Sequence, residues 1–223
     1  MQTRFYLKQK RRKSLSSVKI KTDAVPGLVS VVLPVYNGET YLEEALNSVL
    51  SQTRTNWELW IVDDGSTDRS GEIAEGYAKK DPRISVIHQE NLKLPRALNR
   101  GFAAARGEFY TWMSADNRML PDFIACMAGE LEQNPETDMV FANQYLIDEK
   151  GERILGHSWF ELPPGSGRVC FPEITPLFNK IPNNTVGAAF MYRAGAEAVL
   201  GGYSENLFLL GDYDYFMRMN SLF

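Results

Sequence analysis

Cysteine and histidine are scarce in this chain of 223 residues, which contains two of each. Cys126 and Cys170 show no metal-ligand spacing, and two such thiols are typical of a reduced, cytoplasmic protein. His88 and His157 are too few to build a histidine-based metal site, so we expect both to be ordinary loop or strand-end residues.

Long apolar runs are also missing. No stretch of about 18 apolar residues occurs, so we expect no segment that spans a bilayer. The N-terminal region lacks the apolar run of about 7–15 residues that a signal peptide needs. The sequence therefore predicts a cytoplasmic protein.

Charge is distributed unevenly along the chain. The net charge is −4, but residues 1–22 contain eight basic and no acidic side chains. The remaining residues contain 16 basic and 28 acidic side chains, a balance of −12. The body should therefore have no broad basic face, and we expect no nucleic acid partner.

The basic N-terminal arm, residues 1–27, has two interpretations. Its composition is typical of a disordered, solvated tail. The alternative is weak contact with anionic lipid head groups, at about 1 kcal/mol for each Lys or Arg near the surface. That contact would place the protein at the inner face of a membrane.

Periodicity predicts alternating strands and helices in a single α/β domain. Strands are expected at residues 30–33, 58–62, 84–87, 108–113, 139–143 and 189–192. Helices are expected over residues 40–54, 68–80, 95–106, 121–133 and 212–222. Asp68 suits an N-cap and Gly107 a C-cap, and residues 144–148 and 152–156 suit a hairpin. This alternation predicts a mostly parallel sheet.

The C-terminal third loses this periodicity. Residues 162–182 contain five prolines and two glycines, and a loop this long is usually functional or mobile. The helix from residue 212 is cut short by the end of the chain, which predicts a truncated protein or a fragment of a longer one.

Two strand ends carry the side chains of a nucleotide site. Tyr36 and Asn37 follow the first strand, and Asp63 and Asp64 follow the second. Open α/β sheets bind ligands at these carboxyl ends. A ring can stack on a base, and a carboxylate that accepts the N3–H of uracil distinguishes uracil from cytosine. The alternative is that both segments are simple turns, since Asn, Asp and Gly favour turns.

Six segments together resemble a family 2 glycosyltransferase with the GT-A fold. They are PVYNGETYL at 34–42, LSQT at 50–53, VDDGSTD at 62–68, ENLKLPRALNRG at 90–101, ARGEFYTWMSADNRMLPD at 105–122 and GGYSENLFLLGDYDYFMR at 201–218. The resemblance covers residues 28–223. It implies a Rossmann-like, mostly parallel central sheet flanked by helices, with a nucleotide-binding half (28–122) and an acceptor-side half (123–223).

The resemblance also implies roles for residues near the donor. Asp64 would contact the base and Tyr36 would line it, while Pro34 and Asn37 shape the same turn. Gly187 lies in a segment that passes close to the donor sugar in the family.

Asp116 would hold Mn²⁺ or Mg²⁺ at the donor diphosphate, with Ala115 beside it in the nucleotide site. The family commonly has Asp-x-Asp here, whereas this chain has Ser114 as the first residue, which removes one negative charge near the metal. Arg96 and Lys93 could reach a phosphate, and the alternative for both is a solvated helix face.

Asp212 would be the general base that takes the proton of the acceptor hydroxyl. The family commonly has a Glu before this Asp, but the chain has Gly211, and Asp212 also suits a helix N-cap. The resemblance implies inverting transfer from a nucleotide-diphosphate sugar, with UDP expected, to a saccharide or lipid-linked acceptor in polysaccharide or glycan biosynthesis.

Other functions compete with this one. The departures at Ser114 and Gly211 suit a non-catalytic nucleotide-sugar-binding module, or an inactive fragment of a longer glycosyltransferase. A sugar nucleotidyltransferase or a Rossmann dehydrogenase would need a glycine-rich loop after the first strand, and VLPVYNGET has one glycine.

Overall fold

The fold is available as a computed structural model that describes residues 5–7, 24–158, 186–207 and 211–222. Cys170, the Pro- and Gly-rich segment 162–182 and most of the basic arm lie outside these residues. Within the described ranges, none of the helices is both long and apolar enough to cross a membrane.

A seven-stranded sheet forms the centre of the domain. Its strands are β1 (Phe5–Leu7), β2 (Val25–Val35), β3 (Trp57–Asp63), β4 (Ile84–His88), β5 (Gly107–Trp112), β6 (Met139–Ala142) and β9 (Phe190–Arg193). They lie in the order β1-β6-β9-β5-β2-β3-β4. Strands β5, β2, β3 and β4 are parallel, whereas β9 runs antiparallel to both β5 and β6, and β1 runs antiparallel to β6.

Strands β7 (Tyr145–Ile147) and β8 (Arg153–Ser158) form a separate two-stranded antiparallel sheet, which confirms the predicted hairpin. The helices are α1 (Glu39–Leu50), α2 (Ser70–Ala78), α3 (Leu94–Ala104), α4 (Phe123–Gln133), α5 (Ala194–Leu200) and α6 (Gly211–Leu222). The short helix α5 was not expected from periodicity.

Two apolar clusters cover the two faces of the sheet. Because side chains alternate along a strand, Val31 and Leu33 of β2 pack with α1, α2 and α4 on one face. Val32 packs with α3, α5 and α6 on the other. Helices on both faces of a mostly parallel sheet confirm the predicted α/β architecture.

Gly107 does not cap a helix, so that expectation was wrong. Helix α3 ends at Ala104, Ala105 is already extended, and Gly107 is the first residue of β5. A Cβ at Gly107 would lie 2.6 Å from the carbonyl oxygen of Leu28 and 2.7 Å from Oγ of Ser30. Glycine is required here because β2 and β5 approach closely, a contact that local sequence does not reveal.

Candidate active site

The carboxyl ends of β5, β2, β3 and β4 lie side by side because these strands are parallel neighbours. The segments that follow them hold most of the predicted site residues: Tyr36 and Asn37 after β2, Asp64 after β3, residues 89–93 after β4, and residues 114–117 after β5. The sheet topology therefore brings these segments together along one edge.

The turn after β2 is held by the turn after β3. Asn37 has a φ of 52°, its Oδ1 accepts a hydrogen bond from the backbone N–H of Thr67 at 2.8 Å, and its own N–H donates to Oγ of Ser66 at 3.0 Å. A Cβ at Gly38 would lie 3.3 Å from Cβ of Ala115. These contacts place Tyr36 between the β3 and β5 ends.

Asp68 joins the first turns of α1 and α2. Its carboxylate accepts hydrogen bonds from the backbone N–H groups of Ser70 at 2.9 Å and Glu39 at 3.0 Å. The Glu39 carboxylate accepts in return from the N–H of Arg69 at 2.9 Å. Asp68 thus caps α2 from two residues before its start, and also supports the neighbouring helix, which its sequence position did not indicate.

The Asp64 carboxylate is buried, at 4% exposure. Its Oδ1 accepts hydrogen bonds from Nε2 of Gln89 at 2.6 Å and the N–H of Leu92 at 2.8 Å, and its Oδ2 accepts from the N–H of Lys93 at 2.9 Å. A carboxylate offers about four acceptor positions. Three are filled here, so Oδ2 retains capacity for one further N–H donor.

Tyr36 presents an open aromatic surface beside this carboxylate. It is 52% exposed, whereas most large apolar side chains of β2 are buried. The ammonium of Lys93 lies over the ring, 6.0 Å from its centroid. Pro34 lies two residues earlier in the buried part of β2, paired with Val62 of β3.

His88 bridges two carboxylates next to this site. Its Nδ1 lies 2.9 Å from Oδ2 of Asp63 and its Nε2 lies 3.1 Å from Oε1 of Glu75. The hydrogen bond with Asp63 and then that with Glu75 raise the pKa of His88 above its ordinary value. Asp63 also accepts from the N–H of Ser66 at 3.0 Å, so the bridge supports the β3 turn. Sequence reasoning did not find this contact.

Asp116 lies in an exposed turn after β5, closed by a hydrogen bond from the N–H of Asn117 to the carbonyl of Ser114 at 3.1 Å. Arg118 fixes this segment through contacts with Glu44 of α1 and the carbonyl of Gly151 in the hairpin. The role of Arg118 as an anchor was missed by sequence reasoning.

The described residues contain no group of three or more His, Cys, Asp or Glu side chains placed to hold a metal ion. A single carboxylate is nevertheless compatible with Mg²⁺ or Mn²⁺, because such ions are commonly held by one or two carboxylates together with substrate phosphates and water. Asp116 meets this requirement because its carboxylate is exposed to solvent.

Helix α6 begins beside the start of α3. The two helices are close enough there that a Cβ at Gly211 would lie 3.4 Å from Cγ of Pro95. Asp212 is half-buried in the first turn of α6. Arg96 of α3 forms an exposed ion pair with Glu205 at 2.8 Å. This pair uses the Nε–H of Arg96, and the guanidinium has four further N–H donors that suit a phosphate.

Asn99 links α3 to the segment before α6. Its Nδ2 donates to the carbonyl of Tyr203 at 2.9 Å, and its Oδ1 accepts from the N–H of Tyr203 at 2.7 Å. The buried rings of Tyr203 and Tyr215 stack at 4.3 Å between centroids, and burial raises the pKa of Tyr215. This connection, which sequence reasoning missed, ties α6 to α3.

Gly187 is buried in the turn before β9, with a φ of 68° that favours glycine. The next residue, Ala188, donates its N–H to Oε1 of Gln144 at 2.8 Å. Because β9 runs antiparallel to β5, its start lies at the same edge of the sheet as the carboxyl end of β5.

The sequence matches the model of one protein family, "Glycosyl transferase family 2", over residues 30–200. The chain belongs to this family. The match includes every predicted site residue except Asp212, and it confirms the resemblance drawn from the six sequence segments.

Individual relatives agree with this assignment. The chain is 44% identical over 118 residues to the uncharacterized glycosyltransferase EpsJ of Bacillus subtilis, covering 53% of this chain and 34% of that protein. It is 30% identical over 208 residues to the uncharacterized glycosyltransferase RT0329 of Rickettsia typhi, covering 92% and 63% respectively. The chain therefore spans less than two thirds of the length of either relative.

A solved structure supports the GT-A fold. The crystal structure of S. aureus TarS 1-349 in complex with UDP-GlcNAc matches with a TM-score of 0.64 and 26% identity, covering 86% of this chain and 53% of that one. The family model and the likeness to TarS together identify a mostly parallel, helix-flanked domain of this fold.

Proposed function

We propose that the protein is an inverting glycosyltransferase that uses a UDP-sugar. The observation that carries this proposal is that the exposed Tyr36 ring and the Asp64 carboxylate follow neighbouring parallel strands and both contact Lys93, while the carboxylate keeps one acceptor position. A base stacked on the ring can donate its N3–H to Oδ2 of Asp64. Uracil has that proton and cytosine does not, and the similar TarS protein binds UDP-GlcNAc.

The diphosphate would extend from this pocket toward the end of β5, where Asp116 would hold Mn²⁺ or Mg²⁺ with Ala115 beside the nucleotide. When bound, the ion neutralises the negative charge that develops on the leaving diphosphate. Gly38 and Ala115 approach each other at this point, so the segments after β2 and β5 meet where the diphosphate would lie.

Asp212 is the proposed general base. Gly211 lies close to Pro95 at the start of α3, and the Asn99 hydrogen bonds hold the segment before α6 against α3, at the strand-end edge of the domain. A carboxylate there can take the proton of an acceptor hydroxyl as it attacks the anomeric carbon. A single base and direct attack give inversion, and Gly187 would line the sugar.

We further propose that the acceptor is a saccharide or a lipid-linked saccharide, as in polysaccharide synthesis. The eight basic residues of the arm suit weak attraction to an anionic membrane at its inner, cytoplasmic face.

The test of this function is release of UDP from a panel of UDP-sugars offered with simple saccharide acceptors. Asp212→Asn should keep UDP binding and reduce turnover at least about a hundredfold, within the range that general base catalysis contributes. Asp214→Asn is the matched control, because Asp214 is an acidic residue of the same helical turn, and its carboxylate accepts a hydrogen bond from Nε of Arg218 at 2.9 Å. Equal turnover in the wild type and Asp212→Asn would remove Asp212 as the base.

A further inference from the structure

Loop 89–93, which follows β4, contains an unusual backbone conformation. Lys93 has a φ of 73° and a ψ of 164°, a region that residues with a side chain rarely adopt. The conformation is held by the Asp64 carboxylate, which accepts hydrogen bonds from the N–H groups of Leu92 and Lys93. Strain of this kind is concentrated at ligand-binding sites.

The same loop contains two further departures from ordinary packing. Oε1 of Gln89 and Oδ1 of Asn91 are buried and accept no hydrogen bond within the described part of the chain. Buried acceptors without partners are costly and rare. Three unfavourable features within five residues indicate that this loop is shaped by something other than stability.

Lys93 contacts both residues of the proposed base pocket, the Asp64 carboxylate and the Tyr36 ring. Its N–H donates to Oδ2 of Asp64 at 2.9 Å, the oxygen with capacity for one more donor. Its ammonium lies 6.0 Å from the centroid of the Tyr36 ring. A base that stacks on Tyr36 and donates to Asp64 must therefore meet the Lys93 side chain.

We propose that Lys93 determines base specificity by donating a hydrogen bond to the carbonyl oxygen that flanks the N–H read by Asp64. This proposal rests on the proposed function. The ammonium leaves the ring face when the base stacks there and moves to the base edge, which the four rotatable bonds of lysine allow. Uracil offers a carbonyl at position 4, whereas cytosine offers an amino group that an ammonium repels.

The loop geometry makes two substitutions at this position informative. Lys93→Ala removes the ammonium and keeps the unfavourable φ, whereas Lys93→Gly removes the ammonium and also relieves the strain. If Lys93 served only to shape the loop, Lys93→Gly should bind nucleotide at least as well as the wild type. If the ammonium contacts the base, both variants should bind more weakly, while Lys93→Gly alone has a raised melting temperature.

The experiment is calorimetric titration of the full chain with uridine, UMP, UDP and CDP. Both variants should bind UDP about tenfold more weakly, as expected for loss of one charge-assisted hydrogen bond. The same factor should apply to uridine and UMP, and the preference for UDP over CDP should fall. Lys80→Ala is the matched control, because its ammonium also lies over a tyrosine ring, at 5.4 Å from Tyr77, but in another part of the domain.

The outcomes separate this proposal from the proposed function. Wild-type affinity for UDP in Lys93→Gly would overturn the role of Lys93 alone. A loss that appears with UDP but not with uridine would show a phosphate contact and overturn the base contact. Failure of the wild type to bind any uridine nucleotide would overturn both proposals.

Discussion

Asp64→Asn tests the proposed base pocket at the carboxylate that already accepts three hydrogen bonds. The asparagine side chain keeps one oxygen, which can still accept from Gln89 and Leu92, but its amide nitrogen would face the N–H of Lys93, a donor. The loss of one charge-assisted hydrogen bond, and the weakening of two others, should lower the free energy of unfolding by about 2–4 kcal/mol.

The same substitution removes the proposed acceptor for the base. An N3–H donor would then meet the NH₂ group of the introduced amide in place of the carboxylate oxygen Oδ2, so the affinity for UDP should fall about tenfold to a hundredfold. The assays are urea denaturation for stability, and calorimetric titration with UDP at a temperature where the variant is fully folded.

Asp63→Asn is the matched control for this prediction. Asp63 is the adjacent buried carboxylate, at 6% exposure, and its side chain is bonded by Ser66 and His88 rather than by loop 89–93. It should lose stability but keep most of its affinity for UDP. Wild-type affinity in Asp64→Asn, or equal losses of affinity in both variants, would refute the base contact.

Three further predictions concern the metal, pH and packing. Asp116→Asn should bind UDP equally in Mn²⁺ and in EDTA, whereas the wild type should bind more tightly in Mn²⁺, as titration can show. The raised pKa of His88 implies stabilisation that is fully present below about pH 6.5 and is lost as pH rises through the higher folded-state value. Relative to His88→Ala, the free energy of unfolding of the wild type should fall between pH 5.5 and 8.5 in urea denaturation. The fall should be at most about 1 kcal/mol, because solvent screens an ion pair whose ring is half-exposed. Gly107→Ala should destabilise the fold by about 1–3 kcal/mol through overlap with Leu28.

The core elements could be predicted from sequence because each has a clear local pattern. Apolar residues at helical spacing gave α1, and Val31 to Leu33 gave the central strand. The alternation of these elements was sufficient to predict a mostly parallel sheet, and hence that Tyr36 and Asp64 follow neighbouring strand ends. This part of the candidate site followed from periodicity and strand order alone.

The remaining features depend on contacts between distant residues. Gly107 has the sequence position of a helix cap because it follows α3. A glycine is required there because any side chain would overlap the carbonyl oxygen of Leu28, which is distant in sequence. Asn99 had no pattern of its own and is explained by its two hydrogen bonds to Tyr203. The left-handed backbone of Lys93 is set by Asp64 across the sheet edge, and a lysine gives no local signal for that conformation.

The central claim is that the edge formed by β2 and β3 selects uridine diphosphate. The most direct measurement is calorimetric titration of the protein with UDP, CDP and GDP, in Mn²⁺ and then in EDTA. The geometry of Tyr36 and Asp64 predicts saturable UDP binding, with CDP at least about tenfold weaker, and the proposed metal site at Asp116 predicts that Mn²⁺ strengthens UDP binding. Equal affinity for UDP and CDP, or binding of none of the nucleotides, would contradict it.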